Sequence, residues 1–243
     1  MKHFLNRLIS VIFVVAAFAI GARAQEFTFA VQHNHTFKSC KGNLVINGEG
    51  IEYRTSHKEH ARRWTFTDIK MIKLVSPKEV KVLTYESKRL KLGRDETFEF
   101  KVLNGEVAQD VNDFLLSRVS RPLSTSFVKS EASLQYTIPV RHRRNFGGDL
   151  GTLKIYADGV VYESLKSNSS RRWRWMDVQS ISRTGPYQFA ITTYEPKFGG
   201  PTKTYNFDLK ERMDDGVYDY LWARVYKPTL PPSPDRKESH HET

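Results

Sequence analysis

His33-Asn34-His35, followed by Cys40, His57 and His60, is the densest set of potential metal ligands in this sequence. Imidazoles two residues apart on a strand point to the same side, and zinc accepts both His and Cys. His33 and His35 are therefore candidate ligands; the competing expectation is that His33 only closes a strand end by bonding to backbone. Basic side chains form a second set: Lys38 and Lys41, then Arg141, Arg143 and Arg144. Such side chains could grip phosphate or carboxylate groups, or simply be a solvated charged loop. A third set is Arg62-Arg63-Trp64 and its echo Arg171-Arg172-Trp173. A strand sends neighbours to opposite faces, so Trp64 should enter a core and Arg63 should meet solvent or an acid. Asp68 or Glu86, and in the echo Asp177 or Glu195, are the candidate partners of Arg63 and Arg172, as structural ion pairs rather than ligand contacts.

Other chemistry finds little footing. There is no Gly-x-Ser-x-Gly elbow, and the single cysteine, Cys40, has no catalytic context. Gly147-Gly148-Asp149-Leu150-Gly151 precedes a strand pattern, not a helix, so it is not a phosphate loop. The expectation is a non-enzyme without a cofactor or a specific nucleic-acid motif.

The echo of Arg-Arg-Trp is part of a long internal duplication. Gly42, Leu44, Ile46, Gly50 and Tyr53 recur 109 positions later as Gly151, Leu153, Ile155, Gly159 and Tyr162. Trp64, Asp68 and Glu86 recur at the same offset as Trp173, Asp177 and Glu195. His33 matches His142, but His35 falls opposite Arg144 and Cys40 opposite Asp149, so the second copy has no equivalent of a histidine–cysteine site. Near the end of each copy, Val111–Pro122 and Val217–Pro228 agree at six of twelve positions. A period this long is a duplicated domain, not a solenoid.

Each copy opens on an alternating strand (Phe27, Phe29, Val31, His33; later Tyr136, Ile138, Val140, His142). A hairpin follows over Gly42–Tyr53, then short strands over Arg62–Phe66, Asp68–Leu74, Val80–Glu86 and Thr97–Val102. The period then changes to helical through Val107, Val111, Leu115 and Val119, and Pro122 or Pro228 stops the helix. The fold class expected is mainly β (α+β), with about seven strands and one closing helix per copy.

The Gly-x-Leu-x-Ile…Gly-Ile-x-Tyr hairpin, the Phe66-x-Asp68-Ile69 strand entry and the closing helix resemble the pleckstrin-homology-like (PH-like) superfold, especially GRAM-type and bacterial PH-like modules. The resemblance covers residues 26–122 and 134–228, with 123–133 as linker. It implies two tandem β-barrels or sandwiches whose first inter-strand loop is a common ligand site. No phosphoinositide-binding motif carries over, and Leu116 stands where Trp222 could match the helix tryptophan of eukaryotic PH domains.

Residues 1–24 read as a secretory signal: a basic start, the uncharged run Leu8–Ile20 and the small-x-small site Ala22-Arg23-Ala24. The alternative is an uncleaved anchor. An exported chain, periplasmic or extracellular, then meets membrane only peripherally. The whole sequence has a formal charge of +11, and the leader holds three of the cations and no acid. A basic exported protein suits anionic lipid or another polyanion of the envelope; an unknown protein partner is the alternative. Residues 229–243, with Pro231-Pro232-Ser233-Pro234, read as a disordered tail.

Overall fold

The computed structural model describes residues 25–34, 39–87, 95–166, 169–196 and 200–226. The leader and the proline-rich tail lie outside them, as do His35 and Lys38. Among the described residues no helix is long and apolar enough to cross a membrane.

The chain is mainly β. Seven strands lead to a helix: β1 (Phe27–Asn34), β2 (Ser39–Ile46), β3 (Gly50–Arg54), β4 (Arg62–Thr65), β5 (Ile69–Ser76), β6 (Glu79–Ser87), β7 (Asp95–Val102) and α1 (Gln109–Arg118). After β8 (Leu123–Thr125) the series repeats as β9 (Leu134–Arg143), β10 (Gly148–Tyr156), β11 (Gly159–Ser164), β12 (Arg171–Arg174), β13 (Val178–Gly185), β14 (Gln188–Thr193), β15 (Lys203–Leu209) and α2 (Asp215–Tyr226). Among the described residues fifteen strands form one hydrogen-bonded order, 13-14-15-9-10-11-12-8-5-6-7-1-2-3-4.

The duplication is visible in irregularities as well as in the ladder. The β5–β6 register shifts at Ile69/Met71 and Leu74/Ser76; β13–β14 shifts at Val178/Ser180 and Arg183/Gly185, each 109 positions later. Paired bulges bend both strands at matching points. The shared glycines have a steric reason. A Cβ at Gly42 would stand 2.2 Å from the Arg54 carbonyl oxygen and 2.7 Å from the Tyr53 ring; at Gly151 the Glu163 oxygen and the Tyr162 ring stand at 2.3 and 2.7 Å. Two apolar clusters result, one around Leu44, Trp64, Phe100 and Leu115, the other around Leu153, Trp173, Phe207 and Leu221.

The segment read as linker contains β8, which lies parallel on β5 and touches β12 through Thr125 and Arg172. Other bonds also tie the halves here. Arg174 donates to the carbonyls of Leu116, Val119 and Arg121 at 2.6–3.1 Å, at the carbonyl-rich end of α1. Asp177 accepts the Leu123 N–H at 3.2 Å, and Lys73 reaches Glu195 at 3.4 Å.

Candidate functional site

Alternation along β9 turns Val140 and His142 inward and leaves Arg141 and Arg143 exposed. The strand ends in a tight turn, closed by Arg144 N–H donating to the Gly147 carbonyl at 3.2 Å. Gly147 takes φ +72°, a left-handed conformation that glycine adopts without a Cβ penalty. Phe146 sits in this turn and is 96% exposed. The chain returns along β10 through Asp149, paired with His142 across the ladder and 1% exposed.

Asp149 is the post of the site. Its carboxylate meets Arg144 and, at 2.7 Å, Lys166. Lys166, then Arg144, hold the carboxyl below the usual carboxylate range. Arg144 also donates to Ser169 Oγ at 2.9 Å, and the Leu165 N–H donates to the Leu150 carbonyl at 2.9 Å. These bonds lock the Phe146 turn to the loop after β11, where Leu165 is 81% exposed. One end of the second half therefore presents two protruding apolar side chains beside Arg141, Arg143, Arg144 and Lys166.

Of the expected anion-binding residues, Arg141, Arg143 and Arg144 gather here. Arg143 lies 3.8 Å from Asp208, and Arg144 is committed to Asp149. Lys41 is exposed on β2, and Lys38 is outside the described residues. Sequence patterning alone does not single out Phe146, Asp149, Leu165 or Lys166 as site residues. A usable signal was present: a lone Phe against Gly147-Gly148, and a lone Leu between charged and hydroxyl residues. The first half carries Cys40, Ser56 and His57 in place of Asp149, Leu165 and Lys166.

The duplicated histidines form matched aromatic boxes. His33 lies 5.2–5.8 Å from the Tyr53, Phe98 and Phe100 rings, and His142 lies 5.3–5.5 Å from Tyr162, Tyr205 and Phe207. His33 Nδ1 is 3.0 Å from the Glu99 carbonyl, whereas His142 Nδ1 is buried without a hydrogen-bond partner among the described residues. Burial lowers both imidazoles; for His142, with Arg144 and Lys203 adding to the effect, the pKa falls to about 4. Cys40 Sγ is 3.0 Å from the Tyr53 hydroxyl. Among the described residues no group of three or more His, Cys, Asp or Glu could hold a metal ion.

Trp64 and Trp173 are buried, as alternation predicts. The acids of their neighbours are a correction. Arg63 pairs with Glu49, and Arg172 pairs with Asp158 at 2.6 Å, rather than with Asp68 or Glu86, Asp177 or Glu195. Strand pairing of β3 with β4 brings the hairpin turn, not the later acids, to the arginine. Asp68 and Asp177 instead accept the backbone N–H of Thr65 and Arg174. Glu86 and Glu195 accept the indole N–H of Trp64 at 2.7 Å and of Trp173 at 3.1 Å.

No protein-family model matches the sequence, and no curated protein matches it. Among solved structures it is similar to the one described as "Structure of the Spt16D Pob3N heterodimer". Identity is 11%, coverage is 71% of this chain and 84% of that one, and the TM-score is 0.30. The likeness is too distant to assign an activity.

Proposed function

We propose that this chain is an exported, non-enzymatic binding protein of two PH-like units, and that its second unit holds an anionic phospholipid surface. The observation that carries this reading is that Phe146, 96% exposed, and Leu165, 81% exposed, project from two segments bound to one buried carboxylate, Asp149, with four cations around them. Apolar side chains left in water beside a basic cluster suit a membrane interface, where hydrocarbon takes the ring and head groups take the arginines. A large side chain buried in hydrocarbon contributes about 1.5–3 kcal/mol, and a cation near an anionic leaflet about 1 kcal/mol. The two-unit reading is supported by the repeated strand order, the matched bulges and the separate apolar clusters. Export rests on the leader-like first 24 residues.

The purified protein is expected to sediment with phosphatidylglycerol-containing vesicles and not with phosphatidylcholine vesicles. Replacing both apolar tips, Phe146→Asp with Leu165→Asp, should weaken vesicle binding by at least about tenfold. Arg141→Glu with Arg143→Glu should weaken it similarly. Vesicle binding unchanged by the tip variants would sink the reading. Retention on a sulfated polysaccharide without vesicle binding would favour a soluble polyanion instead.

A further inference from the structure

In the first half, the chain leaving α1 turns back and covers both a sheet edge and a helix face. Ile72 N–H donates to the Pro122 carbonyl at 3.2 Å, Leu123–Thr125 run parallel to Ile72–Leu74, and Ser126 N–H donates to Leu74 at 2.9 Å. Thr125 Oγ1 donates to Asn112 on α1 at 2.7 Å. Leu123, Ser124 and Thr125 are at most 1% exposed.

The equivalent ground in the second half is Ile181–Arg183 on β13 and the α2 face carrying Tyr218, Trp222 and Tyr226. Those three replace Asn112, Leu116 and Ser120. Among the described residues β13 ends the strand order. Its Ile181 backbone is met by one hydroxyl: Tyr226 Oη accepts the N–H at 3.1 Å and donates to the carbonyl at 3.3 Å. Trp222 is 44% exposed and its ring lies tilted against Tyr226, with centroids 4.1 Å apart. The edge and the aromatic shelf adjoin; in the other copy an extended segment covers the edge and bonds to Asn112, the counterpart of Tyr218.

We infer that this edge and shelf receive an extended segment of a partner protein, added parallel to β13 with an apolar or aromatic residue resting on Trp222. Strand addition supplies backbone bonds for affinity and side-chain contacts for selectivity. The occupied copy defines the chemistry: uncharged, apolar then hydroxyl, as in Leu-Ser-Thr-Ser-Phe. Arg183 is already balanced by Asp215 at 2.8 Å, so no charge is required of the guest. The chain's own continuation is a poor guest, because Pro232 aligns in sequence with Ser126 and has no N–H to donate.

The test is a labelled peptide copying residues 121–127, Arg-Pro-Leu-Ser-Thr-Ser-Phe, titrated with the purified protein and read by fluorescence anisotropy. Saturable binding is expected. Trp222→Ala should weaken it by about tenfold. N-methylation at the peptide residue copying Ser126 should do the same, by removing a ladder bond. Tyr226→Phe frees the Ile181 backbone and should tighten binding by about fivefold. Absence of binding to both the parent and Tyr226→Phe overturns the proposal, as does indifference to N-methylation. A tenfold gain on deleting residues 229–243 would make the tail the occupant and also overturn it. So would self-association in the absence of peptide that Trp222→Ala abolishes.

Discussion

Glu195→Ala is expected to destabilise the protein by about 3–5 kcal/mol, while the duplicate change Glu86→Ala should cost only about 1 kcal/mol. The two acids hold the same place in the two copies and accept the same indole bond, but their surroundings differ. Glu195 is 4% exposed and takes further contacts from the Tyr205 hydroxyl at 2.7 Å and from Lys73 of the first half at 3.4 Å. Burial pushes its carboxyl up, yet Lys73 and Lys203, with the Tyr205 and Trp173 bonds, overcome that and hold it ionised. Truncation strands a buried indole N–H, a phenol and part of an ammonium charge. The Glu86 side chain is 41% exposed and its second partner is Arg62, so water replaces what truncation removes. Urea unfolding of both variants decides the matter. Equal losses would mean that the duplicated fold, not burial, sets the value of the pair. Glu195→Gln should fall between, keeping an acceptor for the indole and losing the Lys73 attraction.

That contrast explains what was legible in the sequence. Period-2 alternation locates strands such as β6 and β9, which have one buried face, and the shared glycines are visible because a Cβ has no room there. β8 looks like linker in the sequence because Leu123-Ser124-Thr125 has no period. It becomes a strand through tertiary partners, the β5 edge and the Asp177 carboxylate. The ion partners of Arg63 and Arg172 required the β3–β4 and β11–β12 registers, which a turn acid fourteen residues upstream does not advertise. Duplication identified equivalent positions but not equivalent environments. The Arg63 side chain is 68% exposed, whereas Arg172 is 8% exposed, with its guanidinium donating to the Lys129 carbonyl in the segment between the halves. Likewise Asp149 looks like a surface acid in an alternating strand until Lys166 and Arg144 are placed around it.

The second large effect is a pH dependence. Stability should be highest above pH 6.5 and fall as pH drops from about 6.5 to about 4, with His142 responsible for at most about 3 kcal/mol of the loss at 1.36 kcal/mol per unit, less whatever solvent screens at its partly exposed ring. The unfolded chain binds a proton on this imidazole near its ordinary value of 6.5, while the folded ring resists protonation until about 4. Across that window the unfolded state therefore holds more protons, and acid favours it. The cause is geometric: three aromatic rings surround the imidazole, and Arg144, Lys203 and Arg171 oppose a further positive charge, with Asp149 acting the other way. His142→Phe, which suits an aromatic box, should flatten the stability curve between pH 6.5 and 4. His33→Phe should flatten it less, because the Glu99 carbonyl works against burial there. Asp149 acts in a separate window. Its depressed carboxyl contributes stability above the ordinary carboxylate value and loses it only as pH falls through the lower folded value. Chemical denaturation at closely spaced pH values separates the two. A slope between pH 6.5 and 4 that survives His142→Phe would place the titrating group elsewhere.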